Sequence, residues 1–206
     1  MATVRVSELF DLSGRAALVT GGGRGIGRHI AIGLAEAGAR VFVASRKRAS
    51  CEEVAAEIQR CGGTAQAFEA DLSDPASCAG LMEQVLGAPD AEQAVIAYNA
   101  PKGAVVSLTI DLAVKLAPRG IRVNCLAPGP FDTSMMDHIR NDPQRLRASL
   151  STIPLRRVGQ QDDVEATAVL LASGASRYLM AQTLVADGGV STLYPSRGWW
   201  DAQGAG

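Results

Sequence analysis

Two groups of residues in this sequence are equipped for chemistry. The first, Thr20-Gly21-Gly22-Gly23-Arg24-Gly25-Ile26-Gly27, lies between a short apolar stretch and a helical pattern. Glycines let a backbone pass close to a pyrophosphate, and a helix starting there offers free N–H groups and a partial positive charge. The second, Tyr98-Asn99-Ala100-Pro101-Lys102, sets a phenol and an ammonium on one face of a helix, because residues four apart stack over one another. Free tyrosine, with pKa near 10, is only about one part in a thousand phenolate at neutral pH. A nearby cation lowers that pKa, so the pair can hand a proton to a carbonyl oxygen. Each motif alone has a plain structural reading, a tight strand-to-helix turn for the first and a half-exposed helix start for the second.

The elements that must position these groups alternate. Ala16-Ala17-Leu18-Val19 reads as a strand running into the glycines, and Ile26, Ile30 and Leu34 recur at helical spacing until Gly38 ends the helix. A strand–glycine turn–helix context is the one that supports phosphate binding by Gly21, Arg24, Gly25, Ile26 and Gly27. A second strand over residues 40–44, a helix to Gly62-Gly63, a third strand over residues 64–68 and a helix opened by Asp74-Pro75 complete a βαβαβα order. That order demands a parallel sheet with right-handed crossovers. Past Gly87 the pattern is irregular until an apolar run, residues 94–97, leads directly into Tyr98. A helix from about Asn99 to Leu116, a strand over residues 122–127, a polar flap over residues 130–155, a helix over residues 162–172 and a strand over residues 183–186 follow. No repeat or Pro/Gly/Ser-rich linker divides the chain, so residues 1–206 are expected to form a single Rossmann-like, doubly wound α/β domain.

The end of the second strand bears on cofactor choice. An NAD site needs a carboxylate about 20 residues past the glycines to hold the ribose hydroxyls. This chain has Ala44-Ser45-Arg46-Lys47-Arg48 there. Arg46, helped by Arg24, can instead pair with a 2′-phosphate, which favours NADP(H) over NAD(H); a solvated basic turn is the plain alternative.

A net charge of -1 gives no electrostatic case for nucleic acid or an anionic membrane surface. No apolar run approaches the roughly 18 residues a membrane helix needs, so a cytoplasmic protein is expected. Cys51, Cys61, Cys78 and Cys125 form no C-x-x-C pair and do not cluster with His29 or His138, which points to reduced, mostly buried thiols rather than a zinc site.

In combination these residues resemble the short-chain dehydrogenase/reductase family. The resemblance rests on the glycine run at 20–27, Asp71-Leu72 after the third strand, Tyr98 and Lys102, Gly120-Ile121-Arg122-Val123-Asn124, Pro128-Gly129 with Thr133 beyond, and Asp187-Gly188-Gly189. Within the family the opening Leu9-Phe10-Asp11-Leu12-Ser13-Gly14 and the Arg46 turn are most similar to 3-oxoacyl reductases and gluconate 5-dehydrogenases. The resemblance implies hydride transfer between a nicotinamide and a small carbonyl or alcohol substrate. It implies that Tyr98 is the acid/base, that Lys102 holds the nicotinamide ribose and that Asp71 meets the adenine. Thr133, with the backbone after Pro128 and Gly129, would hold the carboxamide, and Ser45, Arg46 and Leu72 would line the adenosine end. Homo-oligomers are common in the family.

The sequence departs from the family at one place. The family's Asn-Asn-Ala-Gly strand end, its catalytic Asn and the Ser about a dozen residues before the Tyr have no counterpart; Leu86 and Val85 stand where that Ser would be. The fourth and fifth strands are expected to be missing. Removing them from the strand order 3-2-1-4-5-6-7 leaves roughly 14 Å between the first strand and the sixth. Either the later strand closes onto the first or two edges stay open. Three readings follow: a working oxidoreductase, a catalytically silent nucleotide-binding or oligomer-forming remnant, and a deleted chain that does not fold stably.

Overall fold

A computed structural model describes residues 5–86, 95–97 and 102–192. Its first half is a parallel sheet of order β3-β2-β1-β4, built from β1 (Ala16–Thr20), β2 (Arg40–Ser45), β3 (Thr64–Glu69) and β4 (Val95–Ala97). β1 is buried along its whole length and β2 along its inner four residues, as interior strands covered on both faces require. Alternate residues therefore serve two cores. Ala17, Val19, Val41 and Val43 pack with Ala31 and Leu34 of α1 (Gly25–Glu36) and Val54 and Ile58 of α2 (Arg48–Arg60). Ala16, Leu18, Phe42 and Ala44 face the other way, onto Leu81 and Val85 of α3 (Pro75–Leu86). The sheet is thus doubly wound.

The edge of β1 is covered by a strand that follows only a few residues after α3. Ala17, Leu18 and Val19 pair in parallel with Val95, Ile96 and Ala97. The strand expected over residues 122–127 does not close onto β1. It is observed as β5 (Cys125–Pro128), pairing in parallel with β6 (Thr183–Ala186) in a separate two-stranded sheet. It starts three residues later than expected, and the two polar residues before it bond across the second half. Asn124 bridges the Leu179 carbonyl and the Gln182 N–H, at 3.0 and 3.1 Å. Arg122 donates to the carbonyls of Leu171 and Ser173 and to the carbonyl and hydroxyl of Ser176, at 2.8–3.1 Å. It thereby caps the C-terminal end of α7 (Gln161–Ala172).

α7 joins the two sheets. It packs on α1, and Ala172 and Val169 enter the same apolar cluster as β1, α1 and α2. The approach is close enough that a Cβ on Gly33 would lie 2.6 Å from the Cβ of Glu165. Across the α1–α2 seam, Arg28 reaches Glu57 through both oxygens of the carboxylate.

The segment read as a flap is folded. Asp142 caps α6 (Pro143–Ser151) by accepting the N–H groups of Gln144 and Arg145, after the short α5 (Asp137–Arg140). Phe131 is buried over Gly159, and Ile153 is buried under Gly188. The helix expected from Asn99 begins in the described residues at Lys102, as α4 (Lys102–Leu116). Of the four thiols, Cys51 and Cys125 are buried, Cys78 is half-buried and Cys61 is exposed, fewer buried than composition suggested. Among the described residues, no helix is long and apolar enough to cross a membrane.

Replacing Arg122 with Ala leaves several carbonyls at the end of α7 without their donor, and should lower stability in urea by about 2–3 kcal/mol. Arg122→Lys should restore only part of this, because one ammonium cannot serve both sides of the guanidinium fork. A loss below half a kcal/mol would show that the cap is not what holds α7 to the second sheet.

Candidate functional site

The glycine run folds as its residue types require. Gly21 and Gly25 adopt φ of +68° and +54°, the left-handed region that side chains avoid. Gly27 is needed for a different reason, since a Cβ there would lie 2.3 Å from the Gly21 carbonyl oxygen. The turn is thereby folded onto the first turn of α1. No side chain caps that end: Arg24 is the N-cap, extended at φ -165°, and makes no capping bond. The N–H groups of Gly25, Ile26 and Gly27 thus head a helix whose dipole favours an anion placed over the turn. This bare, glycine-walled cradle fits a pyrophosphate.

Two further sets of residues meet this end of the sheet. Ser45 and Arg46 leave the C-terminal end of β2. The Ser45 hydroxyl lies 3.0 Å from the Cys51 sulfur and turns back onto the Lys47 backbone, while burial pushes the Cys51 thiol pKa up. Asp71 and Leu72 follow β3. Asp71 accepts the Ser73 hydroxyl at 2.7 Å and the Ser73 N–H at 3.0 Å, both on one oxygen. Those bonds hold its pKa below the usual carboxylate range, with a smaller contribution from the nearby Arg46 guanidinium. Arg46 and Asp71 are therefore neighbours across the ends of β2 and β3, both exposed. Leu72 is half-buried against the cluster under α3, a packing role.

Thr133 comes to the same place from the second sheet. Its methyl group lies 3.9 Å from where a Gly25 Cβ would be, so the residues after β5 reach back over the glycine turn. Pro128 ends β5, and Gly129 donates its N–H to the Ala186 carbonyl at 2.9 Å. Gly129 is pressed against Asp187, where a Cβ would fall 2.5 Å from the Asp187 Cβ. Asp187 itself accepts the N–H groups of Ser191 and Gly189 at 2.7 and 2.8 Å, bonds that depress its pKa. The Asp187-Gly188-Gly189 signature is thus a capped turn supporting residues 153–154.

Tyr98 lies outside the described residues. β4 is in register with β1, with Ala97 opposite Val19, so the chain leaves β4 level with the strand that feeds the glycine turn. Lys102 is the first residue of α4. One feature that residue types did not reveal is a cavity of about 260 Å³ beginning at Asp132, beside Thr133, with Met136, Leu150, Arg156 and Val158 in its walls. The doublet Arg156-Arg157 was the available signal. His29 lies near Asp132, and burial is the first cause of its lowered pKa.

Comparison with known proteins supplies a second line of information. A profile described as short chain dehydrogenase matches residues 15–91, and one described as Enoyl-(Acyl carrier protein) reductase matches residues 85–191. The rhamnolipids biosynthesis 3-oxoacyl-[acyl-carrier-protein] reductase of Pseudomonas aeruginosa is 31% identical, over 87% of this chain and 97% of its own length. The chain belongs to the short-chain dehydrogenase family. That alignment runs over 251 positions against a chain of 206 residues, so the relative carries residues with no counterpart in this short-chain dehydrogenase. A short-chain type dehydrogenase/reductase from Mycobacterium marinum has the same fold, with a TM-score of 0.79 and 28% identity, covering 92% of this chain and 100% of that one. A putative NAD(P) dependent gluconate 5-dehydrogenase from Beutenbergia cavernae, with bound NADP, gives 0.77 and 32%, covering 90% and 100%. By family, this short-chain dehydrogenase is an oxidoreductase with a Rossmann-like nucleotide fold.

Two glycine variants separate backbone freedom from packing. Gly21→Ala meets no neighbour within 4 Å and should cost about 1–2 kcal/mol, from left-handed strain alone. Gly27→Ala should cost more, about 2–4 kcal/mol, because the turn must move off the helix. Equal losses in chemical denaturation would remove the packing account of Gly27.

Proposed function

We propose that the chain is an NADP-dependent oxidoreductase of the cytoplasm acting on a small carbonyl or alcohol substrate, 3-oxoacyl or sugar-acid-like. The observation that carries this reading is the convergence of Gly25, at the glycine turn, with Thr133 from the second sheet. Gly21, Arg24, Gly25, Ile26 and Gly27 hold the pyrophosphate. Arg46, with Ser45 beside it, takes the 2′-phosphate, while Asp71 and Leu72 bound the adenine. Thr133 and the backbone at Pro128 and Gly129 hold the carboxamide. NADP(H), when bound, supplies or accepts the hydride at the substrate carbon. In reduction the Tyr98 hydroxyl gives its proton to the carbonyl oxygen, leaving a phenolate that the Lys102 ammonium stabilises, and solvent returns the proton. Lys102 also anchors the ribose. The NADP found in the gluconate 5-dehydrogenase structure supports the cofactor choice.

A second reading, a nucleotide-binding or oligomer-forming chain without turnover, is favoured by Val85 and Leu86 standing where the family's serine would be. Loss of such a donor costs on the order of 100- to 1000-fold in turnover. A homo-oligomer is compatible with both readings, and the exposed ridge Val106, Ile110 and Val114 on α4 would offer it an apolar face.

Calorimetry with NADPH, followed by turnover assays on ketones and 3-oxoacyl thioesters, separates these readings. Binding with turnover supports the first, binding alone supports the second, and a folded chain that binds no dinucleotide excludes the first and the nucleotide-binding form of the second. Arg46→Asp should weaken NADPH binding by roughly tenfold or more while leaving NADH binding unchanged or tighter. An unchanged ratio of the two affinities would show that Arg46 does not choose the cofactor.

A further inference from the structure

We infer that the cavity beside Thr133 is the substrate pocket and that it takes an aliphatic acid, its carboxylate on Arg156 and its chain against Met136, Leu146, Leu150 and Val158. This names the substrate class of the proposed oxidoreductase, and it rests on that reading only for which end of the molecule reacts.

Three arginines border the cavity, and two are already neutralised. Arg140 is paired with Asp132 and Asp137, and Arg157 with Asp163, whose carboxyl is held down to about 2 by that bond first. Arg156 is different. Among the described residues it has no carboxylate partner, and its side chain makes one hydrogen bond, to the Ser151 carbonyl at 2.9 Å. Most of a five-donor fork remains available, shaped for a carboxylate.

The backbone points the same way. Arg156 sits at φ +55°, a conformation costly for any residue with a side chain and free for glycine. It is held there by its N–H bond to the Ile153 carbonyl at 2.8 Å. Strain of this kind clusters at ligand sites, and here it falls on a residue that lines a cavity. Beyond the arginines, the wall is mainly aliphatic, Met136, Leu146, Leu150 and Val158 against the two polar residues Asp132 and Gln160, which disfavours a polyhydroxylated acid: most of its hydroxyls would lose water without gaining partners. A cavity of about 260 Å³ suits a short chain. Asp132, in its wall, directly precedes Thr133, whose methyl group lies over the glycine turn.

The test is calorimetric titration of the full chain with hexanoate, 1-hexanol and gluconate, comparing the natural sequence with Arg156→Gly and Arg156→Gln. Hexanoate should bind more tightly than either other probe. Both variants should weaken it about tenfold or more, while Arg156→Gly melts at the same temperature or higher because the strain is relieved. Hexanoate binding that survives Arg156→Gly, gluconate binding equal to hexanoate, or no saturable hexanoate binding to a cooperatively melting chain would each overturn the inference. Titration with NADPH is read separately. NADPH bound without hexanoate sinks the pocket and spares the cofactor site; hexanoate bound without NADPH supports the pocket and sinks the cofactor site.

Discussion

Gly33 of α1 and Glu165 of α7 bring two helix backbones into direct contact, and the arrangement of everything else follows from that contact. The two sheets share no ladder among the described residues, so nothing in their hydrogen bonding fixes how they are placed. A side chain at Gly33 would push α7 outward and carry β5 and β6 with it. Thr133 would then leave the glycine turn. The helix pair joins the two halves through dispersion and burial, with no backbone pairing between the sheets among the described residues.

The glycine turn and the second sheet contribute differently to the proposed nucleotide site. One end supplies backbone N–H groups and a dipole, which are fixed by the fold and need no side chain. The other supplies Thr133 on a segment pinned by Phe131 over Gly159 and by the capped Asp187 turn. Polar groups that serve as scaffolding are fully engaged: Arg122, Asn124, Asp142 and Asp187 each hold two or more partners. Arg46 and Arg156, by contrast, face solvent or a cavity. This contrast is what singles out Arg46 and Arg156 as candidate binding groups.

Much of the first sheet was legible because its strands are short, apolar and punctuated by glycine. β1, β2 and β3 begin where their apolar runs begin, and each extends one residue past the expected end. The second half was harder for identifiable reasons. Asp142-Pro143 opens α6 by the same capping chemistry as Asp74-Pro75 opens α3, yet the polar, methionine-containing residues around it hid the helical period. Residues 122–124 look like strand, yet the ladder starts at Cys125, while Arg122 and Asn124 make long-range side-chain bonds that no local pattern reveals. Where β1 finds its second neighbour is a matter of tertiary packing that no local pattern encodes. The cavity at Asp132 was invisible because its walls all come from residues 132–160, the segment whose short helices the polar composition hid. Tyr98, the residue with the clearest chemical signal, lies outside the described residues.

A seam closed by one pair of helices has a consequence for how the molecule loosens. Amide protons in a continuous ladder exchange together, because opening one strand exposes the next. Here the four-stranded layer and the two-stranded layer have separate ladders, each able to breathe without breaking a bond in the other. The glycine turn belongs to one layer and Thr133 to the other, so a ligand that spanned both would act as a clasp between two cooperative units and slow exchange in both.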